Sequence, residues 1–573
     1  MIIVGIHNTG INSSAAVVVD GKVEFACCEE RLDRRKYSKY FPNLAIDAGL
    51  KWIGALRKDV SSYAIAWNPA INIGSRFRAG QSEWPAYAGA RLFSNPNQIL
   101  PPLGLTDFEA TDQIFSTMSG DKMRITYVTH HLAHCATAFY LSGFEDAAIL
   151  SADGYGERAT TVWATRDTKG FSMLRQINFP HSIGSFYSAI TEFLGYRPDH
   201  DEWKVMGAAA YGDPQRFKKA IGGMIHYGDD AVFELDLKYF NHYDFDTKGM
   251  FTRHLIDLLG DPRSSDAPLS QRDYDIAAAA QVVVEEYMTT ALRWLRLQSG
   301  KKKLCLTGGV LMNSVFNGKA AESGIFDEVF IPYAPDDSGN SIGAALWVSQ
   351  REGKFVRQSG FPSPYLGRDY NDKEIAETIK RFQLAARKLA NVPSEVAGLL
   401  AKGKVVGWFQ GRMEFGQRAL GGRSILADPR DAKMKDRINA AVKYREAFRP
   451  FAPAILAESV MDYFDISQHH SVPYMEKVFM VRADKAAEIP AVVHADGSGR
   501  LQTVERTMNP LFYDTIKRFK ELTGVPVVLN TSFNLNNEPI VESPSDAIRT
   551  FYTSGLDALA LGSYLLVKDS KVA

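Results

Sequence analysis

Residues 2–28, IIVGIHNTGINSSAAVVVDGKVEFACC, decide how this chain begins to fold. Ile2–Ile6 is apolar, a Gly/Asn/Ser turn covers Thr9–Ser14, and Ala15–Asp20 and Val23–Cys28 are two further apolar runs around Gly21. Short apolar runs bounded by turn residues read as strands. The turn at Thr9–Ser14 has two readings: an anion site made by outward backbone N–H groups, or a plain β-hairpin. Farther along, apolar positions at helical spacing over Val282–Leu297 predict a helix, Leu304–Thr307 a short buried strand ending at Gly308–Gly309, and Ile342–Val348 another helix. Strands alternating with helices around Gly-rich turns predict an α/β fold.

At 573 residues the chain is too long for one core, so two or more domains are expected. Around Gly353–Asp369 the sequence turns to Gly, Pro, Ser and charged residues without apolar periodicity, the composition of a linker. This predicts domains over 1–357 and 358–573. The second has a helix near Asp372–Arg387, a strand at Lys404–Phe409, and a late strand at Val525–Leu529 ending in Asn530-Thr531-Ser532. No internal repeat is visible. Lys+Arg and Asp+Glu both number 66, so no global charge draws the chain to nucleic acid or an anionic membrane. Cys27, Cys28, Cys135 and Cys305 lie in apolar runs and read as buried free thiols. The N-terminus reads as a strand and not a signal peptide, and no window approaches a membrane span, so a cytoplasmic protein is expected.

Three constellations carry chemistry. In Tyr127-Val128-Thr129-His130-His131-Leu132-Ala133-His134, His130 and His134 are four apart and share one face of a helix. Asp153 ends the apolar run Ala147–Ser151 beside Gly154 and Gly156, and Pro335-Asp336-Asp337-Ser338-Gly339 opens a helix. Two imidazoles and two carboxylates suit a divalent Fe, Zn or Mn ion. Spacing alone leaves open an ordinary hydrogen-bonded His pair, and His131 replaces either neighbour if the helix starts later. The second constellation is Gly308-Gly309 with Asn313, where a backbone can approach a phosphate; Glu202-Trp203-Lys204 adds a cation. The third is Arg412–Arg449, with ten Lys/Arg against five acids, a surplus suited to a polyanion. The loops His494–Arg500 and Asn530–Asn534 add hydroxyls and amides.

These words together resemble the O-carbamoyltransferase family of antibiotic and nodulation-factor biosynthesis. The matching segments are His130–His134, Asp153–Glu157, Gly407–Pro429, Lys443–Pro453, His494–Val504 and Asn530–Asn534, in the family's order over nearly the whole chain. The resemblance implies an actin-like ATPase fold, shared with threonylcarbamoyl-transferring enzymes, for the first domain and an α+β YrdC-like fold for the second. It implies that the second domain makes carbamoyl-adenylate from carbamoyl phosphate and ATP with Mg2+. The first then transfers the carbamoyl group to the hydroxyl of a small-molecule acceptor, releasing AMP. It further implies that His130, His134, Asp153 and Asp337 hold a metal, Fe2+ being the usual one. Arg418, Lys443, Arg449, Arg500, Asn530 and Ser532 would bind carbamoyl phosphate and ATP, with His130, His134, Asp153, Arg418 and Arg449 the catalytic groups. Gly308, Gly309 and Asn313 remain nucleotide candidates.

The chain departs from the family pattern at three places. The usual His-Asp pair near the N-terminus is Ile11-Asn12, with His7 close by in sequence; Gln417 replaces a Pro before Arg418; and Asn537 replaces a Gly. Two rivals are therefore weighed: carbamoyl-type transfer to tRNA, which the neutral charge disfavours, and a weakened homologue that binds nucleotide as a regulatory protein. A kinase is disfavoured because there is no Walker-type P-loop. The acceptor and the oligomeric state, a homodimer included, are not legible.

Overall fold

Strands β1 (Ile2–His7) and β2 (Ser14–Val19) pair antiparallel with His7 opposite Ser14, so the opening turn belongs to a β-hairpin. Asp20 and Gly21, both at positive φ, turn the chain into β3 (Lys22–Cys28), as a two-residue hairpin turn requires. The computed structural model describes residues 1–9, 12–68, 108–116, 120, 122–244, 247–357, 360–443, 449, 451–467 and 470–568. Ile11 of the altered His-Asp pair lies outside the described residues, as does residue 358, where the sequence places the domain boundary.

The remaining strands of the first sheet are β4 (Ser62–Ile65), β5 (Ala110–Ser116) and β6 (Lys122–Val128), in the order β3-β2-β1-β4-β6-β5, with β4 parallel to β1 and β6 parallel to β4. A second sheet follows from β7 (Ala147–Ala152), β8 (Ala159–Asp167), β9 (Gly170–Asn178), β10 (Lys303–Thr307) and β11 (Glu328–Phe330), in the order β11-β10-β7-β8-β9. Here β8 pairs antiparallel with both β7 and β9, while β10 pairs parallel with β7 and β11 parallel with β10. The two sheets thus share one plan, an antiparallel meander extended by parallel crossover strands. This is the doubled actin-like arrangement, and it corrects the absence of a repeat in the sequence. The repeat is one of strand order and direction, which many apolar sequences satisfy.

Helices are exchanged between the sheets. α1 (His130–Ser142) follows the first sheet but packs on β7 and β10 of the second. α2 (Gln271–Ser299) is stopped at both ends by local chemistry, with a Ser270/Asp273 capping box and left-handed Gly300. α3 (Asn340–Arg351) comes after the second sheet and packs on β1 and β2 of the first, and it also packs against α1. Gly343 permits that helix crossing: a Cβ there would lie 2.0 Å from the Ala133 carbonyl oxygen and 2.3 Å from Thr137 Oγ1.

Two compact units result. The first takes in residues 1–24, 54–316 and 323–362, and the second 25–53, 317–322 and 363–573. The second unit is built on a mixed sheet. Its strands are β12 (Val406–Phe409), β13 (Arg423–Ala427), β14 (Ala452–Leu456), β15 (Lys477–Val481), β16 (Ser498–Val504), β17 (Val527–Ser532), β18 (Ala558–Leu561) and β19 (Tyr564–Val567). They are ordered β19-β18-β12-β13-β17-β14-β16-β15, with two-residue strands at each edge. Asn530, Thr531 and Ser532 are inside β17 and not beyond its end. The early segment 25–53 is tied in by Arg31, which donates to the Gly416 carbonyl, and by Arg34, which donates to those of Pro539 and Ile540. Asn537 has φ 63°, the left-handed conformation that Asn tolerates in place of Gly.

Because Ala133 lies between His130 and His134, Gly343→Ala should displace α1 and cost about 1–3 kcal/mol, read as a lower thermal midpoint. Gly398→Ala, where a Cβ meets nothing within 4 Å, is the helix control and should not lower it.

Candidate functional site

α1 begins at His130, so His130 and His134 face the same way one turn apart. The N-cap residue Thr129 makes no side-chain cap. Instead the buried Glu157 accepts from the His130 backbone N–H at 3.1 Å and from that of Asn68 at 2.8 Å. A carboxylate at a helix N-terminus is favoured by the helix dipole, and here it also pins the first imidazole. Asp153 stands at the end of β7, its Oδ1 held by the Gly154 N–H at 2.7 Å and its carbonyl accepting from Ser182. Asp337 opens the single turn that leads into α3.

The structure brings the four together. Nε2 of His134 is 2.9 Å from Asp153 Oδ2 and 3.1 Å from Nε2 of His130, which is 3.3 Å from Asp153 Oδ2. Asp337 Oδ1 is 3.4 Å from His130 Nε2 and 3.3 Å from His134 Nε2. One ligand atom from each residue falls within 4.8 Å of all the others. Donors about 2.1 Å from one ion at tetrahedral angles are roughly 3.4 Å apart, so these separations fit a metal. Asp337 Oδ1 is buried and faces both imidazole nitrogens. Two nitrogens and two oxygens suit Fe, Zn or Mn.

His131 is not part of this set. Its Nε2 donates to the Ala159 carbonyl at 2.9 Å, which leaves Nδ1 to accept from Ser151 Oγ at 2.8 Å. The Thr307 hydroxyl lies 3.3 Å from His134 Nδ1 and 3.3 Å from the Pro335 carbonyl, orienting the ring from behind. The charges are arranged around one shared field. Burial alone would pull His134 down, but hydrogen bonds to Asp153 and Asp337 raise it to about 9. Burial would raise Asp153, but bonds from His130 and His134 hold it well below the usual carboxylate range. Burial and then the Asp153 charge push Asp337 well above that range.

Gly308 and Gly309 flank this centre. Gly308, at φ 95°, packs where a Cβ would meet the Ala152 carbonyl at 2.1 Å, and a Cβ on Gly309 would lie 2.8 Å from Asp153 Oδ1. Both ends of the Asn313 amide are engaged: Nδ2 donates to Gln281, and Oδ1 accepts from Gln281 and from the Phe316 N–H. Lys204 pairs with Asp201 at 3.1 Å.

In the second unit the basic segment divides by partner. Arg423 is fully buried, donates to the carbonyls of Gln410, Gly411 and Gly422, and stacks 3.6 Å above the Phe409 ring. Arg430 pairs with Asp428, Arg437 with Asp557, and Arg412 with the carbonyls of Leu366 and Gly367. These four serve the fold. Arg418 sits in a loop organised by Glu414, whose Oε1 accepts the N–H groups of Leu420, Gly422 and Arg423. Asn530 supports the same loop through the Ala419 carbonyl and also binds Gln502. Lys443 Nζ reaches Ser532 Oγ at 3.2 Å and Asn534 Oδ1 at 2.8 Å. Arg500 lies on β16 opposite Val478, and burial, then Arg500 and Lys435 against the pull of Asp496, lowers His494 to about 4. Arg449 is described but residues 444–448 and 450 of its segment are not. Glu157, Glu414 and Arg31 act through backbone groups and were missed in the sequence. Position inside a matching segment was the only available signal for the first two.

The fold and this donor set define an actin-like α/β protein with a buried group of four side chains that could hold a metal ion. The chain belongs to the carbamoyltransferase family: the model of the carbamoyltransferase N-terminus matches residues 2–346 and that of the C-terminus residues 397–568. It is 35% identical to an uncharacterized protein of Synechocystis sp. over 99% of this chain and 97% of that one. It is 37% identical to nodulation protein NolNO of Sinorhizobium fredii, over 98% of this chain and 80% of the relative, and 39% identical to NolO of Bradyrhizobium diazoefficiens, over 77% and 79%. Among the described residues no helix is long and apolar enough to cross a membrane.

Removing a donor should empty the centre. His134→Ala and Asp153→Asn are expected to retain less than a tenth of the parent's bound metal by elemental analysis, with helical content unchanged by circular dichroism.

Proposed function

We propose that this chain is an ATP-dependent O-carbamoyltransferase acting on a hydroxyl of a small-molecule acceptor. Family membership across both units carries the reading, and the four convergent donors of the first unit support it. On this reading the second unit, YrdC-like in the family scheme, takes carbamoyl phosphate, ATP and Mg2+. Water adds to the carbamoyl carbon and displaces phosphate, leaving carbamate; a carbamate oxygen then attacks the α-phosphorus of ATP and pyrophosphate departs, giving carbamoyl-adenylate. Arg418, Lys443, Arg449 and Arg500 are the cations that would offset charge on the departing phosphates, with Asn530 and Ser532 shaping the loops that present them. In the first unit the acceptor hydroxyl attacks the carbamoyl carbon, the bond to the adenylate oxygen breaks, and AMP leaves.

His130, His134, Asp153 and Asp337 would hold the metal, Fe2+ being the expected ion, which supplies Lewis acidity toward the carbamoyl group. The chain's own contribution is orientation. Glu157 fixes the start of α1, Thr307 the back of His134, and Gly154 the Asp153 carboxylate. Gly308 and Gly309 keep the space beside Asp153 narrow, and they remain the place where a nucleotide backbone contact is proposed.

The reading divides labour between the units, and that division is testable. Protein with carbamoyl phosphate, Mg2+ and ATP, and no acceptor, should release pyrophosphate and form carbamoyl-adenylate. Arg418→Ala should cut that rate at least tenfold, while His134→Ala should leave it intact and abolish transfer to an acceptor. No pyrophosphate from folded parent protein would remove the proposal, and equal loss of both half-reactions in His134→Ala would remove the division.

A further inference from the structure

His7 ends β1 and is 1% exposed. Among the described residues neither ring nitrogen has a side-chain hydrogen-bond partner. Burying an imidazole in this way is unfavourable, and an apolar residue at the end of an apolar strand would avoid it. A neutral imidazole carries one N–H and one lone pair.

What it faces is specific. Nε2 of His7 is 3.7 Å from Oδ2 of Asp337. The His130 and His134 nitrogens approach the other oxygen, Oδ1. The His7 and His130 rings are neighbours, with centroids 6.4 Å apart. Carboxylates that ligate a metal through one oxygen are commonly held by a donor on the other, and removing that donor typically weakens metal binding 10–100-fold. The imidazole facing Asp337 Oδ2 is that of His7.

We propose that His7 is a positioning residue of the metal centre, its Nε2–H donating to Asp337 Oδ2 so that Oδ1 is presented to the ion. The role rests on the proposed metal centre and goes beyond it, since His7 is not among the four ligands. It also gives β1 a direct part in the site although Ile11-Asn12 stands where the family's His-Asp pair is expected.

The test uses full-length protein titrated with Zn2+, and with Fe2+ under anaerobic conditions, in competition with a chromophoric chelator, alongside apoprotein melting. His7→Leu is expected to bind metal 10–100-fold more weakly while melting at or above the parent temperature, the opposite of a structural residue. His7→Gln, whose amide N–H falls near the place of Nε2, should recover most of the affinity. His7→Asn, whose amide falls near Nδ1, should not. Parent-like affinity in His7→Leu, or equal affinity of the Gln and Asn variants, overturns the role. If His7→Leu does not fold, the Gln/Asn comparison decides alone. Failure of the parent to bind either ion would overturn the metal centre itself, and His7's place in it, which separates that outcome from loss of the His7 role alone.

Discussion

Two carboxylates cannot be buried at hydrogen-bond distance from the same two imidazoles unless something balances them. That constraint governs the first unit. Burial works against the Asp153 charge, and His130 and His134 hold its carboxyl well below the usual range, while burial and its neighbour's charge push Asp337 well above it. The arrangement is costly as an apoprotein and inexpensive around a dication. It explains why the surrounding chain is so restricted: glycine at 308, 309 and 343, a carboxylate far in sequence capping α1, and a threonine behind His134. Each restriction removes a freedom that would let a donor drift from a common centre.

The second unit obeys a different rule. Cations are brought close and then sorted. Arg423 is buried whole against backbone carbonyls and an aromatic face, which its planar guanidinium permits at less cost than an ammonium would. Glu414 accepts three backbone N–H groups in one turn and so dictates the path of the loop that carries Arg418. Segment 25–53, remote in sequence, fastens the neighbouring Gly416 through Arg31. A basic count in a sequence therefore overstates the ligand-facing charge, because part of it is spent on building the loop.

How much of this was legible follows from the range of the interactions. The His130/His134 pair was legible because a helical repeat is local, and Asp153 and Asp337 because each sits beside glycine at the end or start of an element. The choice between His131 and its neighbours was not, since it depends on Ser151 and the Ala159 carbonyl on other strands. The start of β17 was read nearly in place, but its polar end, Asn530–Ser532, was taken for a loop. Buried amides that pair across a sheet and polar loop residues have the same composition. The doubled sheet plan escaped entirely, because topology constrains apolarity and length but not residue identity.

The exchange of helices between the two sheets has a consequence for synthesis. The face of β1 and β2 that α3 covers is made first, yet α3 spans residues 340–351. At about 5–20 residues per second on the ribosome, that face waits on the order of ten to forty seconds after β6 for its cover. During that interval the nascent chain presents Ile3, Ala16, Val18 and their neighbours, all destined for the core, to whatever holds unfinished proteins apart. Yield in a foreign host should depend on translation speed and chaperone supply more than on the strength of the finished fold.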